Sequence, residues 1–167
     1  QRIKKYLGNF KNQIKLSQSD IDIQTINNDF KLDLKSKYSL NNINEKIILN
    51  LAKKNNNYFF DLDLDLDSTE IQINELDYKK NANIKSNLKV NGNYKENNEI
   101  FFNNIKFIEE NKELLVQNLE INKNDKIKKL DLFKIDLVNK IGKKNELEFK
   151  KINNNYYLTG SEFDGTK

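Results

Sequence analysis

The sequence predicts a mainly β protein, an antiparallel meander of long amphipathic strands. Apolar and polar residues alternate with a period of two along most of the chain, which is typical of strands with one wet face. Short turns rich in Asn or Gly separate the alternating runs. The chain has no Pro, so nothing interrupts long strand ladders. We treat residues 1–167 as a single β-rich segment and, because it begins with Gln1, expect it to be excised from a longer, repeat-like protein.

The first segment has a different period. Ile3, Leu7, Phe10 and Ile14 are spaced by four, three and four residues, which predicts one short amphipathic helix. The alternative is that 13–16 already belongs to a strand.

From Phe30 onward the period is two. The predicted strands are 30–34, 47–51, 58–66, 84–90, 114–121, 127–137, 147–152 and 156–160. In the run from 127 to 137 the apolar parity changes, which predicts a bulge near Leu132. The predicted turns are 55–57, 67–68, 91–92, 122–125, 142–145 and 153–155. Asn91-Gly92 is typical of a type I′ hairpin turn, in which both central residues take positive φ.

The composition excludes several classes of active site. With no His and no Cys, the acid–base candidates are carboxylates, Lys and Tyr, and nothing in the sequence marks a carboxylate pair as buried. The five Gly are scattered, so no phosphate-binding Gly-rich loop is present. We therefore expect a protein that is not an enzyme and has no catalytic residues and no cofactor.

The run from Asp61 to Asp67 alternates Asp with Leu and raises the question of calcium. An EF-hand loop that started at Asp61 would need Gly at its sixth position and Glu at its twelfth, where the sequence has Leu66 and Gln72. Alternation instead places the four carboxylates on the solvent face of one strand, so we predict no metal site.

Nucleic-acid binding is also disfavoured. The 29 basic and 25 acidic residues are interspersed, with a net charge of +4, and form no phosphate-binding stripe apart from short clusters such as 126–129. Most of the ten Phe share the parity of Leu and Ile, which indicates a core position rather than a base-stacking platform. We predict no nucleic-acid partner.

An apolar sheet face must be covered by a second sheet, by helices or by a ligand. A closed β-sandwich or barrel, serving as a structural or protein-interaction domain, would satisfy this requirement. A curved, trough-like sheet that binds lipid chains on its apolar face would also satisfy it.

From Tyr58 to its end, the chain resembles the AsmA-like proteins of the bacterial envelope, in particular their YhdP-type branch. The alternating Asp and Leu of 60–71 are similar to a strand of that family, and Leu76-Asp77-Tyr78-Lys79-Lys80 resembles its Leu-Gly-Trp-x-Lys-Pro segment. Further likeness lies at 84–90, 128–132 and 157–164. Tyr78 replaces the usual Trp, and the Pro is missing.

The resemblance implies an open β-groove that conducts phospholipids between inner and outer membranes. It further implies a location in the periplasm of a Gram-negative bacterium, as part of a protein anchored in the inner membrane. The implied partners are phospholipid acyl chains and, through the full-length protein, both membrane surfaces. On this basis the predicted groove-facing residues are Phe60, Leu62, Leu64, Leu66, Ile84, Leu88, Val90, Leu147 and Phe149.

Overall fold

The computed structural model describes residues 14–39, 44–95, 99–124 and 126–163. Within these residues the chain forms thirteen strands and one short 3-10 turn, Asn74–Leu76. The strands are β1 (Lys15–Ile26), β2 (Asp29–Ser39), β3 (Asn44–Lys54), β4 (Asn57–Asp65), β5 (Ile71–Ile73), β6 (Tyr78–Lys80), β7 (Ser86–Lys95), β8 (Ile100–Glu109), β9 (Lys112–Ile121), β10 (Ile127–Lys129), β11 (Leu132–Val138), β12 (Lys144–Ile152) and β13 (Asn155–Glu162).

Eleven of the described strands form one antiparallel sheet, which confirms the predicted fold class. Ten of them follow the order β1-β2-β3-β4-β7-β8-β9-β11-β12-β13, and β10 pairs beside β11 with the end of β9. The sheet does not close, because β1 and β13 are its two edges. The closed sandwich or barrel is therefore wrong for the described residues, in which β5 and β6 form a separate two-stranded hairpin.

Asparagine makes the tight turns along one rim of the sheet. Asn55 and Asn56 have φ of 48° and 62°, and Asn153 and Asn154 have φ of 48° and 68°. Two consecutive residues of positive φ are the signature of a type I′ turn, which Asn tolerates better than most residues. We call the strand ends next to the turns at 27–28, 55–56, 123–124 and 153–154 the asparagine rim. The other ends of the strands form the opposite rim.

Three local predictions differ from the structure. Ile84 lies in a bend before β7, outside the strand that was predicted to contain it. The predicted bulge near Leu132 is an interruption at Leu130 and Asp131, which separates β10 from β11. In addition, β8 was not predicted at all. The helix predicted from Ile3 to Ile14 lies outside the described residues except for Ile14, which directly precedes β1.

The predicted hairpin turn at Asn91 and Gly92 is also wrong, since both residues lie inside β7. The register between β7 and β8 shifts here, because β8 carries one extra residue opposite this point. A Cβ on Gly92 would lie 2.1 Å from the carbonyl oxygen of Phe101 and 2.9 Å from the ring of Phe60. Glycine is therefore required by the close approach of two strands and not by a turn.

Replacing Gly92 should consequently destabilise the sheet. We expect Gly92→Ala to lower the free energy of unfolding by roughly 1–3 kcal/mol or more, because the backbone of β8 must move away. Urea unfolding followed by circular dichroism measures the change. Asn91→Ala, at the neighbouring residue on the polar face, is the matched control and should cost less than about 0.5 kcal/mol. Equal losses for the two variants would contradict the close-approach explanation.

Candidate functional site

The cross-strand register aligns one apolar residue from each of ten strands in a single row. Residues directly opposite each other in neighbouring strands point to the same face of a sheet. The row, which we call the apolar track, consists of Ile21, Leu34, Leu49, Leu62, Val90, Ile105, Val116, Phe133, Phe149 and Leu158. Nine strand spacings of about 4.8 Å make the track about 43 Å long. It is continuous from one edge of the sheet to the other.

Aromatic side chains extend the apolar face from the track to the asparagine rim. The rings of Phe60 and Phe102 meet edge to face, with centroids 5.9 Å apart. Nearer the rim, the ring of Tyr58 lies 6.3 Å from that of Phe30 and 6.2 Å from that of Tyr94. No described segment folds over these residues, whose side chains are half-buried among their own neighbours.

The opposite half of the apolar face is covered by the chain between β4 and β7. We call residues 66–85 the insert; it contains β5, the 3-10 turn and β6. Its residues Leu66, Ile71 and Tyr78 form the buried core together with sheet residues. Those sheet residues are Phe107, Ile135 and Leu137, with Leu64, Leu88, Leu114 and Phe133 partly buried around them. The insert thus divides the apolar face into a covered half and an open half.

Hydrogen bonds fasten the insert to the sheet at both of its ends. At one end, the backbone N–H of Leu66 donates to the carbonyl of Ser86 on β7 at 2.9 Å, and within the insert the N–H of Asn83 donates to the carbonyl of Asp67 at 2.8 Å. At the far end, the N–H of Lys140 donates to the carbonyl of Asp77 at 2.9 Å, and the Lys140 ammonium pairs with the Asp77 carboxylate at 3.2 Å. Because these contacts reach from β4 to the turn after β11, the insert spans the middle of the sheet.

The two carboxylates buried beneath the insert are hydrogen-bonded, whereas the buried hydroxyl of Ser86 has no partner among the described residues. The Tyr78 hydroxyl donates to the Glu109 carboxylate, which also accepts from the Lys112 ammonium at 2.7 Å. The Glu45 carboxylate accepts from the Tyr38 hydroxyl at 3.1 Å and from the Ser68 N–H at 2.7 Å. A buried carboxylate is tolerated only with such partners.

Lys80 is fully buried, and its ammonium donates to the carbonyls of Asp67, Thr69 and Asn81 at 3.1, 2.8 and 3.1 Å. Burial lowers the pKa of Lys80 below its ordinary value, although carboxylates nearby raise it in part. Its ammonium holds the two ends of the insert together.

The structure places seven of the nine predicted groove residues on the apolar face of the sheet. These are Phe60, Leu62, Leu64, Leu88, Val90, Leu147 and Phe149. Leu66 follows β4 as the first residue of the insert and is buried in the core at 4% exposure, and Ile84 lies outside the strands. Of the ten track residues, the predicted groove included Leu62, Val90 and Phe149. It missed the five that lie in other predicted strands, Leu34, Leu49, Val116, Phe133 and Leu158, and the two that lie outside the predicted strands, Ile21 and Ile105.

The carboxylates of the Asp run lie on the polar face, as predicted, except that Asp67 follows the end of β4. The side-chain amide of Asn87 donates to Asp63 at 2.7 Å and to Asp65 at 3.0 Å. Burial alone would raise the pKa of Asp63. The hydrogen bond from Asn87 and the positive charge of Lys89 outweigh that effect, so the pKa of Asp63 lies below its ordinary value. Asp67 accepts from the Ser86 N–H at 2.7 Å. Among the described residues, no three His, Cys, Asp or Glu side chains group closely enough to hold a metal ion.

Both edges of the sheet are open. Every residue of β1 and of β13 is exposed, including the large apolar side chains of Ile21, Ile23 and Leu158. An edge strand offers unpaired N–H and C=O groups to a further strand. β13 contains neither Lys nor Pro, two residues that commonly protect such edges.

The Tyr78 hydroxyl should make stability depend on pH. Burial and the hydrogen bond to Glu109 raise the pKa of Tyr78 above its ordinary value of 10.0. A group whose pKa is higher in the folded than in the unfolded state contributes stability that is fully present below the unfolded pKa. That stability is lost as the pH rises above the unfolded pKa and through the folded pKa. Tyr78→Phe should therefore cost about 1–3 kcal/mol at pH 8, and the difference from the wild type should shrink above pH 10.

Urea unfolding of both proteins at pH 8 and pH 11 measures this difference. Lys80 and Tyr38 titrate in both proteins and cancel in the comparison. Tyr157→Phe, at an exposed position, should change the unfolding free energy by less than about 0.5 kcal/mol. A difference between wild type and Tyr78→Phe that stays constant from pH 8 to pH 11 would show that the hydroxyl is not held in its neutral form.

Comparison with known proteins does not assign the chain to a family. No protein-family model matches the sequence, and neither a curated protein nor a solved structure is significantly similar to it. The described part of the chain has no helix that is long and apolar enough to span a membrane. The feature left to explain is an apolar sheet face that the chain itself covers only in part.

Proposed function

We propose that the chain is a non-catalytic lipid conduit, in which phospholipid acyl chains lie on the open half of the apolar face. The observation that carries the proposal is the apolar track, which runs unbroken across ten described strands. Leu34 and Val116 of the track are buried, but the aromatic residues between the track and the asparagine rim are not covered by any described segment. Soluble monomers rarely leave a large contiguous apolar surface uncovered, and an apolar ligand is the simplest cover.

The energetics suit an acyl chain. Burying one CH₂ group contributes about 0.8 kcal/mol, so a chain of about 15 methylenes that is half covered by the protein gains about 6 kcal/mol. Each position along the track offers similar aliphatic or aromatic contacts. Because a sliding chain exchanges equivalent contacts, movement along the track needs no local chemistry.

The resemblance to AsmA-like proteins supports the same proposal through the residues of the insert. Asp77 stands where that family has Gly, and it takes φ 46° and ψ 31°, the left-handed conformation that glycine adopts most easily. Tyr78, in the place of the family's Trp, is 1% exposed, and Lys80, which matches the family's Lys, is 0% exposed. Two side chains of the segment that carries the resemblance are thus among the most buried of the described residues.

Membership of that family would place the chain in the periplasm of a Gram-negative bacterium. It would be part of a protein anchored in the inner membrane, with the membrane surfaces reached through the full-length protein. The open edges at β1 and β13 suit such an arrangement, because strands of neighbouring segments could extend the sheet and the track at either edge.

Photocrosslinking tests the proposal directly. A photoreactive amino acid placed at Leu62, on the track, should capture phospholipid after the purified chain is incubated with phospholipid vesicles. The same group placed at Asp61 is the matched control, since Asp61 is the next residue on the same strand and lies on the polar face. We expect at least about tenfold more lipid adduct at Leu62, as measured by mass spectrometry. Equal labelling at both positions, or none at Leu62, would overturn the proposal.

A further inference from the structure

We propose that the asparagine rim selects phospholipids with anionic headgroups, through Lys53 on β3 and Lys151 on β12. This inference rests on the proposed lipid conduit and assigns the part of the lipid that the apolar track does not contact. It follows from the distribution of charge on the apolar face and from the surroundings of the two ammonium groups.

Among the described strands, the carboxylates of the apolar face lie in its insert half, next to the ammonium of Lys112, which pairs with Glu109. Glu45 and Glu109 lie at the insert end of the strands, where Tyr38 and Ser68 donate to Glu45, and Tyr78 and Lys112 donate to Glu109. In the open half, the charged side chains that the described strands place on this face are Lys53 and Lys151. On the described strands, the open half therefore carries cations without carboxylates.

Both lysines are held next to the track by aromatic rings. The Lys53 ammonium lies 5.9 Å from the centroid of the Tyr58 ring, and the Lys151 ammonium lies 5.7 Å from that of Tyr156. The Tyr156 ring in turn stacks on Phe149 of the track at 5.2 Å. Neither lysine forms a salt bridge with a carboxylate of the described residues. Each ammonium is free to meet an anion at the point where the apolar surface ends.

A phospholipid whose tails lie on the track must turn its headgroup away from the insert. The insert covers the opposite half of the face, so the headgroup lies toward the asparagine rim, where it meets water and the two ammonium groups. A lysine attracts the phosphate of any phospholipid, but the amine of a zwitterionic headgroup is repelled by the same charge. The rim should consequently favour headgroups with net negative charge.

The two lysines are too far apart to bind one headgroup together. They contact the headgroups of different lipids, or of one lipid at successive positions along the track. Six strand spacings of about 4.8 Å separate β3 from β12, so they are about 29 Å apart along the sheet. Exposed ion pairs are weak, and we expect a preference of about two- to fivefold for an anionic over a zwitterionic headgroup. Because both lysines are only partly buried, salt should reduce the preference.

The chain offers matched controls at adjacent residues. Lys54 and Lys150 neighbour Lys53 and Lys151, are exposed, and lie on the polar face. The variants K53Q/K151Q and K54Q/K150Q therefore remove the same charge from opposite faces of the same strands. A third variant, K53R/K151R, keeps the charge on the apolar face.

Each protein is incubated with vesicles of equal phosphatidylglycerol and phosphatidylcholine, and bound lipid is captured at Leu62 and identified by mass spectrometry. Wild type, K54Q/K150Q and K53R/K151R should enrich phosphatidylglycerol about two- to fivefold. K53Q/K151Q should capture a similar total amount of lipid with an enrichment near one. Circular dichroism checks that every variant is folded.

Two outcomes would overturn the inference while leaving the conduit in place. Wild type could capture both lipids equally, or K53Q/K151Q and K54Q/K150Q could lose the preference to the same extent, which would indicate an effect of net charge alone. Failure of the wild type to capture any lipid is a different result, and it would overturn the proposed function itself.

Discussion

Cross-strand register is the constraint on which the rest of the structure depends. A slip of one residue between two strands would move every later track residue to the polar face, because side chains alternate with a period of two. Register shifts occur at several points and are absorbed locally, for example between β1 and β2 beside Gln18, which has φ of 52°. A residue in the left-handed conformation thus lets a strand change its register while its apolar side chains stay on the same face of the sheet.

The insert turns a symmetrical sheet into one with two different halves. Its core residues and bonded carboxylates occupy one half, so that half gains most of the stability, and the open half retains an apolar surface without a protein partner. Buried polar networks of this kind favour one arrangement over alternatives when every member is satisfied. In the proposed conduit, a fixed insert would also fix the orientation of the lipid, because the insert covers the other half of the apolar face.

Much of this fold follows from local sequence patterns, and the rest depends on contacts between distant residues. Alternation in 58–66 and Asn-Asn turns placed most strands correctly. In β8, Phe101, Phe102, Ile105 and Phe107 change parity around Asn103, so the strand has no continuous alternation to recognise. The insert is harder still, since β5 and β6 have three residues each and Lys80 is buried only through its contacts with Asp67 and Thr69. Gly92 lies inside a strand rather than in a turn because of Phe60 and Phe101, which become its neighbours only when the strands pair.

A conduit of this type places few demands on individual residues along its track. Any aliphatic or aromatic side chain of the right parity provides similar contacts, so such a function leaves a periodic pattern rather than a compact motif. Selectivity cannot arise from those equivalent contacts, because the tails of different phospholipids resemble one another. It must arise where the apolar surface ends and the lipid becomes polar. In the proposed conduit that boundary is the asparagine rim, where Lys53 and Lys151 on the apolar side would make headgroup charge the property that the protein distinguishes.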